Sequence, residues 1–285
     1  MPGRRARPAT ASELLRHADL ALYRAKETGR DRVVAFDAEL RTRADERLAT
    51  EAMLREALDD GGLRLFLQPV VELAGSGVVG AEALVRLQHP HRGLLLPGAF
   101  MDVAEETGLV TALDAWVLQT AVAGLAARPG TRVAVNVSAR TLEAGGLAAR
   151  VRDVLDRHGV DPARLGVELT ETSLLTPATG VAEDVVALRA TGCRVGLDDF
   201  GTGYSALSHL QAFELDFLKI DRSFISELGR GDRHDAVVKA VVDLAHAHRL
   251  VVVAEGVEHE EQRALLQAMG CDQAQGWLFG RPAAP

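Results

Sequence analysis

Eight short apolar runs divide most of this 285-residue chain, and each run leads into a polar residue. The carboxyl ends of parallel strands in a closed barrel converge on one mouth, so polar residues at those ends would meet there. Most of them are carboxylates, which repel one another unless positive charge lies between them. The polar residues of the eight runs are Gln68, Glu82, Asn136, Glu168, Asp198, Asp199, Lys219, Asp221, Glu255 and Gln275.

Strand-like and helix-like patterns alternate after residue 63, which predicts an α/β fold with a mostly parallel sheet. Eight strands separated by helices favour a TIM-type (β/α)8 barrel over an open sheet. The first two strands are joined by ELAGSG, which is too short for a crossover helix, so we expect an antiparallel first strand. The predicted strands are 64–71, 78–87, 132–138, 164–170, 193–198, 216–221, 250–255 and 272–278. The predicted helices lie near 98–107, 112–127, 141–158, 178–191, 205–212, 232–248 and 258–269.

The segment before the barrel is predicted to be a short helix-strand extension and a linker helix. Apolar residues spaced three and four apart mark a helix from residue 11, Gly29 follows as a stop, and RVVAF has strand character. A charged helical stretch follows and ends in two glycines. We therefore divide the chain into an extension at 1–36, a linker helix at 37–62 and a barrel domain at 63–285.

Composition narrows the classes of function. The formal net charge of −8 argues against a broad surface for DNA or RNA polymers, so an anionic substrate would need a local cation. The sequence has no run of 18 or more apolar residues, so neither a membrane-spanning helix nor a membrane contact is expected. Its two cysteines suggest no disulfide framework, which favours a cytoplasmic location.

The polar residues supply oxygen ligands on one face of the predicted strands. Neighbouring residues in a strand point to opposite faces, so Asn136 and Glu168 face away from the apolar residues beside them. Oxygen ligands without sulfur or imidazole suit Mg²⁺ or Mn²⁺. Two such cations can generate hydroxide and stabilise charge at phosphorus, which predicts a metal-dependent hydrolase. The candidate metal ligands are Glu82, Asn136, Glu168, Asp198, Asp199 and Glu255.

Two further residues near these ligands are candidates for catalysis. Lysine is rare among the 32 basic residues, so Lys219 on a predicted strand indicates a need for a compact ammonium. Glu171 lies three residues after Glu168 and would anchor the glycine-rich segment DDFGTGYS, which reads as an active-site loop. Taken singly, such residues are more often helix caps or solvated charges. Their joint occurrence favours a functional site, whereas Trp277 and Phe279 are interpreted as core residues.

Ordered motifs along the chain resemble the EAL-domain cyclic-di-GMP phosphodiesterases. They include AEALVRLQHP, NVS, ELTET, DDFGTGYSAL, LKIDRSFI, AEGVE and QGWLFGRP, and the resemblance covers about residues 48–283. It implies a barrel with an antiparallel first strand and the hydrolysis of cyclic di-GMP to linear pGpG in bacterial second-messenger signalling. It also implies two Mg²⁺ or Mn²⁺ ions per active site and a homodimer.

The resemblance gives each candidate residue a role. One metal is assigned to Glu82, Asn136, Glu168 and Asp198, and the second to Asp198, Asp199 and Glu255. Lys219 matches a lysine that contacts the nucleophilic water, and Glu171 matches a glutamate that holds the DDFGTG loop. The catalytic residues implied are Glu82, Glu171, Lys219 and Glu255. The substrate-binding residues implied are Gln68, Leu84, Arg86, Asp221 and Gln275.

The chain departs from the family pattern at three places, none of which is a metal ligand. Leu87 stands where the family usually has tryptophan, Leu67 where tyrosine is common, and Met101-Asp102 where isoleucine–proline is usual. We expect these changes to act on the pocket wall or on substrate affinity. Residues 1–36 resemble the last helix and strand of a GGDEF, or diguanylate cyclase-like, domain without the cyclase signature.

Two alternatives from other functional classes stay open. One is a module that senses cyclic di-GMP without cleaving it, although relatives of that type lose metal ligands or loop residues that this sequence keeps. The other is a scaffolding domain that acts through protein contacts. The many polar residues at strand ends argue against the scaffold, because burying carboxylates without a function costs free energy.

Overall fold

In the part of the chain that the structure describes, eight strands close into a barrel and a ninth extends it at the rim. The computed structural model describes residues 10–27, 29, 31–75, 77–174, 180–201, 210 and 212–285. The strands are β1 Leu63–Glu72, β2 Val78–His89, β3 Gly93–Leu95, β4 Val133–Val137, β5 Leu165–Thr170, β6 Arg194–Phe200, β7 Phe217–Ile220, β8 Val251–Ala254 and β9 Gln273–Gln275. They are ordered β1-β9-β8-β7-β6-β5-β4-β2-β3, and pairing of β1 with β2 closes the barrel.

Two helices precede the first strand, and after β3 helices alternate with the strands and cover the outside of the barrel. They are α1 Ala11–Glu27, α2 Ala38–Asp60, α3 Met101–Thr107, α4 Val110–Ala127, α5 Ala139–Glu143, α6 Leu147–His158, α7 Glu171–Leu174, α8 Val181–Ala190, α9 Arg222–Ser226, α10 Asp232–Ala247 and α11 Glu260–Ala268. Side-chain caps fix several of their starts. Ser138 accepts a hydrogen bond from the Thr141 backbone N–H at α5, and Asp37 accepts one from the Leu40 N–H at α2.

The strand directions confirm the predicted barrel and its irregular first strand. β1 is antiparallel to both of its neighbours, β2 and β9, whereas the pairs from β2–β4 through to β8–β9 are parallel. The register between the first two strands sets Gln68 directly opposite Glu82. Because paired residues share a face, this hairpin brings two candidate site residues together.

Some predicted elements differ in the structure. The predicted strand at residues 32–36 is wrong: this segment pairs with no strand among the described residues, and the ring of Phe36 instead stacks on His17 with centroids 3.7 Å apart. The predicted helix at 141–158 is two helices, α5 and α6, because Gly145 and Gly146 both have positive φ and interrupt it. The predicted helix at 205–212 falls almost entirely outside the described residues.

Apolar side chains hold the helices on the barrel in a larger and a smaller cluster. The larger one lies between the outward faces of the strands and the surrounding helices, with Val135 and Val167 among its buried members. The smaller one joins Leu54 of α2 to Leu87 of β2 and to Phe100. Each fully buried side chain of this size contributes about 1.5–3 kcal/mol, so the second half of α2 is firmly packed on the barrel.

The ring of Phe217 fills the barrel interior beneath the polar residues. A Cβ added to Gly196 would lie 2.2 Å from that ring, and one added to Gly166 would lie 3.6 Å from it. The absence of side chains at these glycines therefore makes room for the ring. We call the end where the parallel strands finish, beside Asn136 and Glu255, the carboxyl mouth, and the opposite end the amino mouth.

Helix α4 is long and apolar enough to cross a membrane by length and composition alone. Its side chains at Val110, Leu113, Val122 and Leu125 are nevertheless buried in the two clusters of the barrel. Packing in a globular domain therefore accounts for its apolar composition.

Candidate active site

Lys219 lies at the centre of the carboxyl mouth and contacts four carboxylates. Its side chain extends from β7, is 2% exposed, and places Nζ 2.5 Å from Glu255, 3.0 Å from Glu168, 3.2 Å from Asp198 and 3.4 Å from Glu82. Glu82, Glu168 and Asp198 lie within three other strands, β2, β5 and β6. Glu255 is the residue that follows a fourth strand, β8. A single ammonium thus holds together the candidate residues that sequence reasoning placed at separate strand ends.

Amide side chains complete the hydrogen bonding around Glu82. Asn136 Nδ2 donates to Glu82 Oε1 at 2.6 Å, and Gln275 Nε2 donates to Glu82 Oε2. Gln68, opposite Glu82 in the hairpin, donates through Nε2 to the Gly280 carbonyl at 3.2 Å. These contacts fix the orientation of the Glu82 carboxylate, so its oxygen atoms are held in place before any ligand binds.

The adjacent carboxylates of Asp198 and Asp199 are separated by an irregular backbone. The register between β6 and β7 shifts between Leu197 and Phe200, and Asp199 has φ 55°, in the left-handed region. Its backbone N–H donates to Asp198 Oδ1 at 2.9 Å. Such a bulge re-aims side chains, which lets two consecutive residues direct their carboxylates toward one site. Sequence spacing identified the pair but gave no sign of this conformation.

One ammonium cannot compensate four carboxylates, and the raised pKa values of two of them show it. Burial raises the pKa of Glu168 well above its ordinary value, and it raises the pKa of Glu255 to about 8, in both cases against the effect of Lys219. Burial acts on Glu82 in the same direction, but Lys219, Gln275 and Asn136 outweigh it and lower its pKa. The same carboxylates raise the pKa of Lys219 well above its ordinary range despite burial.

The cluster has the donor set and spacing that a pair of hard divalent cations requires. Oxygen atoms of Glu82, Glu168 and Asp198 lie within 4.8 Å of one another, and so do those of Asp198, Asp199 and Glu255. Asp198 belongs to both groups, as a ligand shared by two cations would. All of these ligand atoms are carboxylate oxygens, which favour Mg²⁺ or Mn²⁺ over softer metals. The residues present therefore fit two divalent cations.

The β1–β2 hairpin continues past the cluster as one wall of the mouth. Arg86 and Leu84 share the face of Glu82, and the Arg86 guanidinium lies 5.8 Å from the centroid of the Phe66 ring. Arg86 is buried, and its Nη1 donates to the Val85 carbonyl at 2.8 Å. Burial lowers the pKa of Arg86, while Glu82 opposes that effect.

The three departures from the family pattern lie on the other face of this wall or away from it. Leu87 is fully buried in the smaller apolar cluster, and Met101 packs against the same cluster. Leu67 packs against the larger cluster and bonds through its backbone to Ala283. Because the side chains of Leu87, Leu67 and Met101 pack against the core, these departures change packing beneath the wall rather than the surface of the mouth. Asp102, which belongs to the third departure, is exposed.

A broad polar cleft adjoins the cluster beside the ends of β8 and β9. It is lined by Gln68, Glu255 and Gln275 together with Arg222, Arg230 and Trp277. The interpretation of Trp277 as a core residue is wrong: its side chain is 53% exposed, and the Arg281 guanidinium lies 4.0 Å from its ring centroid.

Backbone geometry brings Trp277 to the rim of this cleft. A Cβ on the preceding residue, Gly276, would lie 2.1 Å from the Val257 carbonyl oxygen, so only glycine lets the two segments approach. Phe279, two residues further on, is partly buried against the larger cluster, in keeping with the prediction for it.

Two of the predicted residues lie at the margin of the cluster. Asp221 follows β7 and accepts a hydrogen bond from the Ser223 N–H at 3.0 Å, so it caps α9, and its charge helps to raise the pKa of Asp199 after burial and Asp198. Glu171 is buried at the start of α7. The segment 202–209 of the glycine-rich loop, which Glu171 was predicted to anchor, lies outside the described residues.

Comparison with known proteins agrees with this site. Residues 51–282 match the EAL domain family. The chain belongs to the EAL domain family. A solved structure described as the PaMucR phosphodiesterase in complex with c-di-GMP superposes with a TM-score of 0.79, is 38% identical, and covers 83% of this chain and 98% of its own.

Two curated relatives from Pseudomonas aeruginosa match almost the whole chain. The bifunctional diguanylate cyclase/cyclic di-GMP phosphodiesterase MucR is 39% identical over 96% of this chain and 41% of its own length. The cyclic di-GMP phosphodiesterase NbdA is 40% identical over 95% of this chain and 35% of its own. The chain thus spans less than half the length of these relatives.

Proposed function

We propose that this EAL domain is a metal-dependent phosphodiesterase that hydrolyses cyclic di-GMP to linear pGpG in bacterial second-messenger signalling. The observation that carries the proposal is the buried cluster of four carboxylates around Lys219, with every predicted metal ligand present. The relatives named as cyclic di-GMP phosphodiesterases support the substrate. We place the reaction in the cytoplasm.

Mg²⁺ or Mn²⁺ would be held in two positions by residues that already lie together. One position is assigned to Glu82, Asn136, Glu168 and Asp198, and the other to Asp198, Asp199 and Glu255. When bound, two such cations supply a hydroxide nucleophile at neutral pH and stabilise negative charge at phosphorus.

Lys219 is assigned to orient the attacking water or a phosphoryl oxygen. Because its pKa is raised well above the ordinary range, its Nζ keeps its proton at neutral pH and acts as a hydrogen-bond donor, not as a base. Lys219 extends from strand β7, and oxygen atoms of four carboxylates lie within 3.4 Å of its Nζ and hold it in place. The ammonium can therefore be directed at an oxygen atom without reorganisation during the reaction.

The two sides of the mouth offer separate places for the two halves of the substrate. We assign Leu84 and Arg86 on the hairpin wall to one guanosine phosphate, with Gln68 and Gln275 between the two sides. The polar cleft beside β8 and β9 offers the exposed ring of Trp277 for stacking on a base and Arg222 for the phosphate. Asp221 and Glu171 are assigned to positioning at the margin of the cluster.

Chromatography of the products tests this function. The protein is incubated with cyclic di-GMP and Mg²⁺ or Mn²⁺ beside Glu82→Gln, with Glu56→Gln on the exposed side of α2 as a matched control. We expect pGpG from the parent and from Glu56→Gln but not from Glu82→Gln. Binding of cyclic di-GMP without product from the parent would instead identify a non-hydrolysing sensor.

Two proposals concern parts of the protein beyond the active site. The first is that residues 1–36 are the end of a diguanylate cyclase-like domain; MucR, whose name includes that activity, aligns with 96% of this chain. The second is that the domain forms a homodimer. Sedimentation at micromolar concentration tests the dimer, and the mass of a single chain would contradict it.

A further inference from the structure

An arginine stands at the start of three consecutive strands at the amino mouth. Arg132 precedes β4, Arg164 precedes β5, and Arg194 is the first residue of β6. All three line a cavity that enters the barrel from this end, together with Gly80, Gly166 and Phe217. The cavity lies at the end of the barrel opposite the entrance to the active site, and the proposed phosphodiesterase reaction makes no use of its arginines.

Only one of these arginines has its hydrogen bonds satisfied within the described residues. The guanidinium of Arg164 donates to the backbone carbonyls of Leu125, Arg128 and Thr131 at 2.6–2.9 Å, so it ties the loop before β4 to β5. The side chains of Arg132 and Arg194 form no hydrogen bond and no ion pair with any described residue. Their N–H groups are therefore free to bind an added acceptor.

The register of the sheet directs Arg194 into the barrel. Arg194 is paired with Gly166, which in turn is paired with Ala134, so it shares its level with two small residues that also line the cavity. The Arg194 guanidinium lies 5.4 Å from the centroid of the Phe217 ring. A guanidinium stacked on an aromatic face keeps its N–H edge available for bidentate contacts.

The two arginines form a concentration of positive charge. Burial lowers the pKa of Arg194, Asp216 opposes that effect, and Arg132 adds to it, which places the two guanidinium groups within electrostatic reach. Asp216 is already engaged, because its carboxylate accepts hydrogen bonds from Arg189 and from the Val195 N–H. The carboxylate that lines the cavity, Glu168, lies at its inner end beside Lys219.

We propose that the amino mouth binds a small oxyanion of the phosphate class between Arg132 and Arg194. Two guanidinium groups without acceptors match the several oxygen atoms of a phosphate group, and Glu168 would repel the anion from the inner end. Phe217 lies two residues before Lys219 on the same face of β7, so the anion site and the carboxylate cluster occupy different levels of one barrel.

Calorimetric titration of the whole chain with inorganic phosphate tests this site. The titration is run at constant ionic strength set with chloride, and with and without Mg²⁺, so that phosphate bound at the carboxylate cluster is recognised by its dependence on the cation. We expect binding that does not need Mg²⁺. Arg132→Gln should weaken it about tenfold or more, as for loss of a charge-assisted hydrogen bond.

Arg152→Gln is the matched control, because it removes the same charge from an exposed position on α6. It should leave phosphate binding unchanged, whereas Arg194→Lys should weaken it by removing the planar fork. Since Arg132 is exposed and its side chain forms no hydrogen bond or ion pair with the described residues, Arg132→Gln should fold normally. No phosphate binding above the chloride reference, or equal affinity for the parent and Arg132→Gln, would overturn the proposal.

A second titration with guanosine monophosphate identifies the source of the anion. Binding that is sensitive to Arg132→Gln would extend the site to phosphate monoesters of nucleotides. Binding of inorganic phosphate alone would confine it to the free anion. Either result supports the oxyanion site, and neither depends on turnover of cyclic di-GMP, so the outcome is separate from the test of the proposed function.

Discussion

Carboxylates at the two ends of this barrel differ in how their negative charge is compensated. At the amino mouth, Asp216 accepts hydrogen bonds from Nε and Nη2 of Arg189 and from the Val195 N–H, and Asp272 binds His246 and the Val252 N–H. At the carboxyl mouth, four carboxylates share Lys219. The satisfied acids, each with its own hydrogen-bond donors, hold strands and helices together. The crowded acids, which share one ammonium, leave negative charge that a divalent cation can neutralise.

Loss of Lys219 should have the largest effect on activity. Lys219→Ala removes the donor proposed to orient the attacking oxygen, so we expect kcat to fall by about 10²–10³-fold or more at saturating Mn²⁺. Lys239→Ala is the control, because that lysine pairs with Asp243 on the exposed side of α10. Steady-state kinetics of both variants measure the effect. Comparable activity in Lys219→Ala and the parent would remove the ammonium from the mechanism.

The pH dependence of stability should separate the crowded acids from the satisfied ones. The pKa of Glu255 is raised from 4.5 to about 8, so folding takes up a proton between these values and the free energy of unfolding of the metal-free protein falls as pH rises through that window. Burial raises the pKa of Glu168 in the same direction. Urea unfolding in the presence of a chelator should therefore show lower stability at pH 8 than at pH 5.5.

Saturating Mn²⁺ should reverse this trend, because the cation binds the ionised carboxylates of the folded state. At a concentration of 100 times Kd the expected stabilisation is about 2.7 kcal/mol. In Glu255→Gln the pH dependence should be smaller. A metal-free protein that is equally stable at both pH values would show that the carboxylates are compensated by another group.

Removal of a satisfied acid at the amino mouth should lower the stability of the fold and leave the catalytic rate nearly unchanged. Asp216→Ala leaves Arg189 and the Val195 N–H without their acceptor, so we expect the free energy of unfolding to fall by about 1–3 kcal/mol while kcat changes little. Glu214→Gln is the control, because Glu214 pairs with the same arginine from a side chain that is 87% exposed. Glu214→Gln should lower the free energy of unfolding by less than about 1 kcal/mol. A large loss of kcat in a folded Asp216→Ala variant would contradict the division between the two ends.

Substitution of Trp277, at the rim of the polar cleft, should have a smaller effect than the changes above and should act on substrate affinity. Trp277→Ala removes the exposed ring proposed to stack on a base, so KM should rise about tenfold with kcat nearly unchanged. Trp277→Phe keeps an aromatic face and should recover most of the affinity. Unchanged KM in Trp277→Ala would exclude Trp277 from substrate binding.

The sequence predicts the residues that meet at the carboxyl mouth because strand ends in a barrel converge whatever the intervening helices are. Glu82, Asn136, Glu168, Asp198 and Lys219 are all recognised in this way, and the short ELAGSG connection identifies the antiparallel strand. These features depend on the two-residue alternation of side chains along each strand and on the length of one connection. Both can be read from short stretches of sequence.

Features that depend on tertiary contacts are not predicted. RVVAF has strand composition, but a strand forms only where a neighbour offers hydrogen bonds. Trp277 has the large apolar side chain typical of a core residue. Its exposure follows from the close contact between Gly276 and Val257. The left-handed conformation of Asp199 follows from the irregular pairing of β6 with β7.

The number of Mn²⁺ ions bound per chain is the most direct test of the contrast between the two ends. We expect two ions in the parent, weakened binding of one ion in Asp199→Asn, and no change in Asp216→Asn, since the latter acid already has its partners. No Mn²⁺ binding by the parent, or equal loss in the two variants, would contradict the proposal that the crowded carboxylates around Lys219 form a two-cation site.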